Sequence, residues 1–208
     1  MSAYPISSRD YLARARVQLA AGNLQALFYA ALELRCGVEA RLQEHLEPHS
    51  HIPESRRTEW RPGKLHRTTI EAFKLGDQVA RVRIVHQDSG ALITTLFYTP
   101  VSARLKTLAE KLGSYLHAAK TVRPADDPFW TSFRDELEEA AQLLTDATTG
   151  TLLGPILRRS GSAQVTMPME VTSGDLLDSE AFAELKGANV VLDIQYFPDI
   201  RTARSGAG

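Results

Sequence analysis

The stretch FYAALELRCGVEARLQEHL, residues 28–46, decides the fold. Placed at about 100° per residue, its apolar side chains and those just before it form one stripe, which is typical of an amphipathic helix. The stripe consists of Leu24, Leu27, Phe28, Ala31, Val38 and Leu42. Arg35 falls near the middle of that stripe, where a core residue is expected. The pattern therefore predicts a long helix that carries a guanidinium group on its inward face.

An inward-facing arginine needs a partner, because a buried and unpaired guanidinium group is strongly destabilising. Glu39 follows one helical turn later, near the same face. We interpret Arg35 and Glu39 as a structural pair that clamps the helix to a neighbour. The alternative is that Arg35 projects into a cleft and holds a phosphate group, to which its planar fork is well suited.

A helical hairpin is predicted around the turn that precedes this helix. Ser7 and Asp10 have the spacing of a capping box, so a first helix begins at Ser7. Gly22 can adopt the left-handed conformation that ends that helix, and Asn23 can cap the next. Pro48 prevents the second helix from continuing.

The rest of the chain alternates between helical and strand patterns. A β-hairpin is predicted at about residues 78–98, with its turn at residues 87–90. A helix follows from Val101 to about Lys120, and a last long helix begins after Asp127 and Pro128. Two strands are predicted after residue 150, and Pro168 marks the first of them as an edge strand.

These elements predict a mainly α (α+β) fold with three parts. Residues 1–150 form a four- or five-helix bundle into which the hairpin at about 78–98 is inserted. Residues 151–200 form a small C-terminal β appendage, and residues 201–208 form a disordered tail.

Composition is that of an ordinary globular protein. The chain has 208 residues, 43% of them hydrophobic, and a formal net charge of -1, so its bulk charge indicates no polyanionic partner. Cys36 is the single cysteine, which excludes an intramolecular disulfide and a multi-cysteine zinc site. We find no apolar run long enough to span a bilayer and no signal-peptide pattern, and we predict a cytoplasmic protein without a membrane partner.

The segment between the second helix and the hairpin is rich in basic residues. Arg56, Arg57 and Arg61 lie beside Trp60, an arrangement that can grip a nucleic-acid backbone while the indole stacks on a base. Glutamates in the same segment partly offset these charges, so a solvated loop is the preferred interpretation. The nearby histidines lack the spacing of a metal signature, and no metal or other cofactor is predicted.

His117 is the candidate for acid–base chemistry, because the pKa of an imidazole lies close to neutrality. It follows Gly113 within a predicted helix, where glycine allows another group to approach closely. The alternative is an ordinary surface histidine.

Two pieces of sequence together resemble the helical core of HEPN-domain proteins. One is residues 28–46, and the other is LKTLAEKLGSYLHAA, residues 105–119, which contains the pattern Leu-Gly-Ser-x-x-His. The resemblance spans roughly residues 7–148 and is closest to bacterial HEPN-like proteins of uncharacterised function. It implies a four- or five-helix bundle, a homodimer with the motif near its interface, and a role in stress or defence systems.

The resemblance also implies candidate catalytic residues. Many HEPN domains are metal-independent ribonucleases whose motif is an arginine, then four to six intervening residues, then a histidine. His117 matches that histidine, whereas Lys111 occupies the arginine position and lacks the bidentate fork. We therefore expect a non-catalytic dimerisation or binding module, with RNA or a protein as its partner. The alternative is a HEPN-type ribonuclease that uses His117 with Lys111 or Arg35.

Overall fold

The computed structural model describes residues 6–117, 122–155, 164–168 and 189–205. The chain folds into two compact units. The first unit comprises Met1–Asp77 and Pro100–Thr149, and the second comprises Gln78–Thr99 and Gly150–Gly208. A mainly helical fold with a small antiparallel β part is observed, so the predicted fold class is confirmed.

The first unit is a helical bundle built around one central helix. Its helices are α1 (Ser8–Ala21), α2 (Leu24–Leu46), α3 (Glu54–Arg57), α4 (Pro62–Phe73), α5 (Ala103–Tyr115) and α6 (Phe129–Thr149). Helix α2 contacts α1, α4, α5 and α6, and its apolar stripe supplies the middle of the core. The largest fully buried side chains of this core include Leu34, Leu42, Leu112, Phe133 and Leu144.

The predicted hairpin of α1 and α2 is observed. Ser7 and Asp10 form the capping box, with the Ser7 side chain accepting from the Asp10 backbone N–H. Gly22 ends α1 in the left-handed conformation, with φ of 71°. The Asn23 side chain accepts a hydrogen bond of 2.9 Å from the Ala26 N–H and caps α2.

Arginine side chains bind the carboxyl end of α6, where free carbonyl groups and the helix dipole favour cations. Arg41 donates a hydrogen bond of 2.9 Å to the Ala147 carbonyl, and Arg9 donates one of 2.9 Å to the Thr148 carbonyl. Arg41 is also paired with Glu44 at 3.1 Å. These bonds join α1, α2 and α6 at one end of the bundle.

The second unit is a four-stranded antiparallel sheet with the strand order β2-β1-β4-β3. The strands are β1 (Val79–His86), β2 (Leu92–Tyr98), β3 (Gln164–Pro168) and β4 (Asn189–Phe197). The turn between β1 and β2 contains Gly90 with φ of 68°, which is the hairpin expected from the sequence. Strand β3 lies at the edge of the sheet, as Pro168 indicated.

Two parts of the predicted domain organisation differ from the structure. The sequence pattern places the hairpin within the helical part, but β1 pairs with β4 along its whole length, so the hairpin and the C-terminal strands form one sheet. Residues 201–208 were expected to be a disordered tail, but Ile200–Ser205 form a helix, α7. Its Ala203 is buried and its carbonyl accepts a 2.9 Å hydrogen bond from Arg81, which explains the order. Residues 206–208 and most of the appendage between β3 and β4 lie outside the described residues.

Candidate functional site

His117 lies beyond the end of α5. The helix was expected to continue to about Lys120, but it ends at Tyr115, and the Leu116 N–H bonds to the Gly113 carbonyl in a tight last turn. Glycine and serine at this end favour an early stop, because neither is a strong helix former. His117 is exposed in the turn that follows, and residues 118–121 lie outside the described part of the chain.

Lys111, the residue at the arginine position of the motif, is paired with a carboxylate of the same chain. Its ammonium group forms an ion pair with Glu136 of α6. The other carboxylate oxygen of Glu136 accepts a hydrogen bond of 3.3 Å from the Tyr115 hydroxyl. This ion pair holds the cation toward α6, and the bond to Glu136 also raises the pKa of Lys111.

Arg35 lies where α2 packs against α5. A Cβ atom added at Gly113 would be 2.5 Å from Nη1 of Arg35, so the guanidinium group occupies the space that a side chain at position 113 would need. The guanidinium carbon also lies 5.9 Å from the ring centroid of Trp60. Gly113 does permit a close approach, as the sequence suggested, and the approaching group is Arg35.

The relation between Arg35 and Glu39 is electrostatic. Within the described residues, the ion pairs shorter than 4.0 Å do not include these two side chains. Burial raises the pKa of Glu39, the positive charge of Arg35 opposes that shift, and the carboxylate of Glu59 adds to it. Arg35 therefore acts on Glu39 through its charge, while its contacts are with Gly113 and Trp60.

The buried arginine of α2 is Arg41, whereas Arg35 is only partly buried. Arg41 is 3% exposed because the end of α6 covers it. The prediction that Arg35 lies in the middle of the core is therefore wrong. The apolar periodicity of α2 does not predict that Arg41 is buried, because the burial of Arg41 depends on where α6 ends.

Two arginines of the basic loop bind partners within the loop or on the neighbouring helix α4. Arg56 forms an ion pair with Glu71. Arg57 donates hydrogen bonds of 3.0 Å to the Ile52 carbonyl and 3.2 Å to the Glu47 carbonyl. Both guanidinium groups thus stabilise the loop conformation.

Arg61 is bound by Glu59 through two hydrogen bonds of 3.0 and 2.7 Å. The side-chain bond from Arg61 lowers the pKa of Glu59 to about 2. Arg61 also lies 5.6 Å from the ring centroid of Trp60, which remains 59% exposed. The Trp60 side chain is therefore exposed, as stacking on a base would require, but Arg61 beside it and Arg56 of the same segment are paired with carboxylates.

The histidines near this loop do not converge on a metal site. His49 and His51 have their ring centroids 5.6 Å apart, and His45 is fully buried in α2. The described residues contain no cluster of three or more histidine, cysteine, aspartate or glutamate side chains arranged for a metal ion. Among those same residues, no helix has the length and apolar character that crossing a bilayer requires.

Fold and site together define a helical unit with a charged, arginine-rich surface and a separate four-stranded sheet. No family model, no curated protein and no solved structure matches the chain. The HEPN assignment therefore stays a prediction that depends on the motif residues.

Proposed function

We propose that this chain is a HEPN-like, non-catalytic dimerisation and binding module of a bacterial stress or defence system, acting in the cytoplasm. The observation that carries this proposal is the ion pair between Lys111 and Glu136. A cation bound by a carboxylate is poorly placed to stabilise the negative charge that develops on a phosphate during RNA cleavage.

The position of His117 supports the same conclusion. It lies outside α5, in an exposed turn, while Lys111 is held toward α6 on the helix itself. A general base and its electrostatic partner must be placed together to act on one phosphate. Arg56, Arg57 and Arg61 also have partners within the chain, which weakens the case for a phosphate-gripping loop.

The test combines an activity assay with a measurement of mass. Purified protein is incubated with structured and unstructured RNA in the presence of a chelator, beside a His117→Ala variant. We expect no cleavage above that of the variant, and a dimer by light scattering at micromolar concentration. Metal-independent cleavage that disappears in His117→Ala, with unchanged thermal stability, would contradict the non-catalytic proposal.

A HEPN-type ribonuclease is the second candidate, and one contact favours it. The Arg35 guanidinium reaches Gly113, four residues before His117, so α2 brings a cation to the segment that carries the histidine. In that case Arg35 replaces the missing motif arginine. Arg35→Met would then abolish cleavage as completely as His117→Ala does.

A further inference from the structure

The guanidinium group of Arg35 has no acceptor in the part of the chain that the structure describes. Among those residues it takes part in no hydrogen bond and no ion pair, although Arg41 and Arg61 are each paired with a glutamate. Its unpaired nitrogen atoms are not fully buried, so a ligand in solvent can reach them. Free donors on a planar cation suit the two oxygen atoms of a planar anion.

An exposed indole lies beside these donors. The guanidinium carbon of Arg35 is 5.9 Å from the ring centroid of Trp60, which is 59% exposed. The segment that carries Trp60 is fixed on α2, because Gln43 donates a hydrogen bond of 3.2 Å to the Glu59 carbonyl. The Trp60 N–H also donates one of 3.1 Å to the Glu59 carboxylate. A ring that stacks on this indole is therefore held within reach of Arg35.

The charges around Arg35 determine what kind of anion fits. Glu39 lies within the electrostatic influence of both Arg35 and Glu59. Glu59 is itself paired with Arg61 at 2.7 Å and with Lys64 at 3.6 Å. These five side chains carry three positive charges and two negative charges, so one positive charge is in excess. A monocarboxylate matches that excess, whereas a phosphate dianion or a polynucleotide brings further negative charge toward the two glutamates.

We propose that Arg35 and Trp60 form a binding site for an aromatic monocarboxylate, whose carboxylate accepts the free donors of Arg35 while its ring stacks on the indole of Trp60. The inference rests on the binding part of the proposed function and gives it a ligand class. Two sources present this chemistry: a small aromatic acid, and the C-terminal carboxylate of a peptide that ends in an aromatic residue.

The first experiment follows the indole N–H resonances by NMR while hydrocinnamate is added to the folded chain. The chain has two tryptophans, and the spectrum of Trp60→Phe assigns their resonances. Trp130 is an internal control, because its Nε1–H donates a hydrogen bond of 2.7 Å to the Pro124 carbonyl. We expect the Trp60 resonance to shift with a dissociation constant of about 1 mM, as is usual for a ligand of this size, and the Trp130 resonance to stay in place.

Related ligands separate the two contacts. Propanoate lacks the ring and hydrocinnamamide lacks the charge, so each is expected to bind at least about threefold more weakly than hydrocinnamate. Inorganic phosphate is expected to leave the Trp60 resonance in place. The tripeptide acetyl-Gly-Gly-Phe, as the free acid and as the amide, distinguishes the two sources, since only a site for a peptide terminus binds the free acid more tightly than hydrocinnamate.

The second experiment repeats the hydrocinnamate titration on two variants. Arg35→Met removes the cation and is expected to weaken binding at least about tenfold, the effect of losing a charge-assisted hydrogen bond. Arg104→Met is the matched control on α5, because Arg104 is bound by Glu139 through hydrogen bonds of 2.7 and 2.5 Å. It is expected to keep the affinity of the wild type. The dispersion of each NMR spectrum checks that the variant is folded.

Three results would overturn the inference. The first is a Trp60 resonance that responds to none of the carboxylates, and the second is binding that is unchanged in Arg35→Met. The third is a stronger response to phosphate or to uridine monophosphate than to hydrocinnamate, which assigns the site to phosphate groups instead. If Arg35→Met does not fold, the ligand series on the wild-type chain decides. The measurements of mass and of RNA cleavage do not use this site, so the dimerisation module is tested separately.

Discussion

Nη1 of Arg35 lies where the side chain of residue 113 would begin, 2.5 Å from the position of a Cβ atom on Gly113. Arg35 belongs to α2 and Gly113 to α5, so the two helices meet through a guanidinium group packed on a bare backbone. This relationship explains why a glycine interrupts the last turns of α5. It also explains why an arginine is accommodated on a face of α2 that otherwise carries apolar residues.

The glycine at position 113 is expected to tolerate a methyl group. Gly113→Ala forces the end of Arg35 to move, but that side chain is flexible and partly exposed. Alanine is also favoured over glycine in a helix by up to about 1 kcal/mol. The free energy of unfolding, measured in urea, should therefore be equal to or slightly above that of the wild type. A loss of more than about 1 kcal/mol would show that the Arg35 contact is rigid.

The same substitution at Gly37 is expected to have the opposite effect on stability. A Cβ atom there would lie 2.8 Å from Cδ2 of Leu144 and 3.1 Å from Cβ of Tyr11, at a point where α1, α2 and α6 meet. Overpacking of this kind destabilises by about 2 kcal/mol, which exceeds the helical advantage of alanine. Gly37→Ala should therefore lower the free energy of unfolding by about 1 to 2 kcal/mol. Stability equal to that of Gly113→Ala would contradict the close packing.

Local sequence signals were sufficient for most of the helices and for the hairpin. The capping box at Ser7, the left-handed Gly22 and the Asn23 cap all depend on neighbours within a few residues, and each is observed. The registry of β1 against β4 was not predictable in this way. These strands are separated by more than a hundred residues, and their pairing depends on long-range packing that leaves no local pattern.

The contacts of the candidate site residues also depend on long-range packing that local sequence patterns do not predict. Periodicity drew attention to Arg35, but the buried arginine of α2 is Arg41, whose environment is made by the end of α6. The partner of Lys111 was equally hidden, since Glu136 is distant in sequence and belongs to a charged face of α6. Residue types and their spacing identified the candidates, whereas the positions of other helices determine what each can do.

Arg41 and Arg35 should therefore respond differently to the same substitution. Arg41→Met removes a bond to the Ala147 carbonyl inside the bundle and is expected to destabilise the protein by about 2 kcal/mol. Arg35→Met removes the guanidinium contacts with Gly113 and Trp60 at a partly exposed site and should change stability by less than about 1 kcal/mol. Urea unfolding of both variants measures the difference. Equal losses would mean that Arg35 is a structural clamp after all.

Acidification is expected to destabilise the first unit through His66. Burial lowers the pKa of His66 below its usual 6.5, and the charges of Asp77, Lys106 and Glu110 and a backbone bond at Val101 also act on it. A lowered pKa means that the unfolded chain binds the proton more readily. The stability that neutral His66 contributes is therefore present above pH 6.5 and is lost as the pH falls below that value.

Unfolding experiments at neutral and mildly acidic pH test this expectation. His66→Gln removes the titrating group, so its free energy of unfolding should fall less on acidification than that of the wild type. His49, whose pKa is also lowered by burial, leaves part of the dependence in place. The exposed His117, changed in the same way to glutamine, is the control and should show the wild-type dependence. An unchanged slope in His66→Gln would exclude His66 as the source.

In the second unit, Arg81 is expected to hold α7 on the sheet. Arg81 is 4% exposed, donates to the Ala203 carbonyl at 2.9 Å, and lies with its guanidinium carbon 4.7 Å from the Phe197 ring centroid. Arg81→Met leaves that carbonyl without its donor, which should destabilise the attachment of α7 by about 1 to 2 kcal/mol.

Hydrogen exchange of the amide groups in residues 200–205 measures this effect directly. Exchange in Arg81→Met should be faster by about tenfold, because 1.4 kcal/mol corresponds to a factor of ten in the opening equilibrium. Arg83→Met is the matched control on the same strand. Its side chain is 39% exposed and lies 3.9 Å from Asp193, a surface pair that contributes little. Equal exchange rates in both variants would show that α7 is held by the apolar contacts of Ile200 and Ala203 alone.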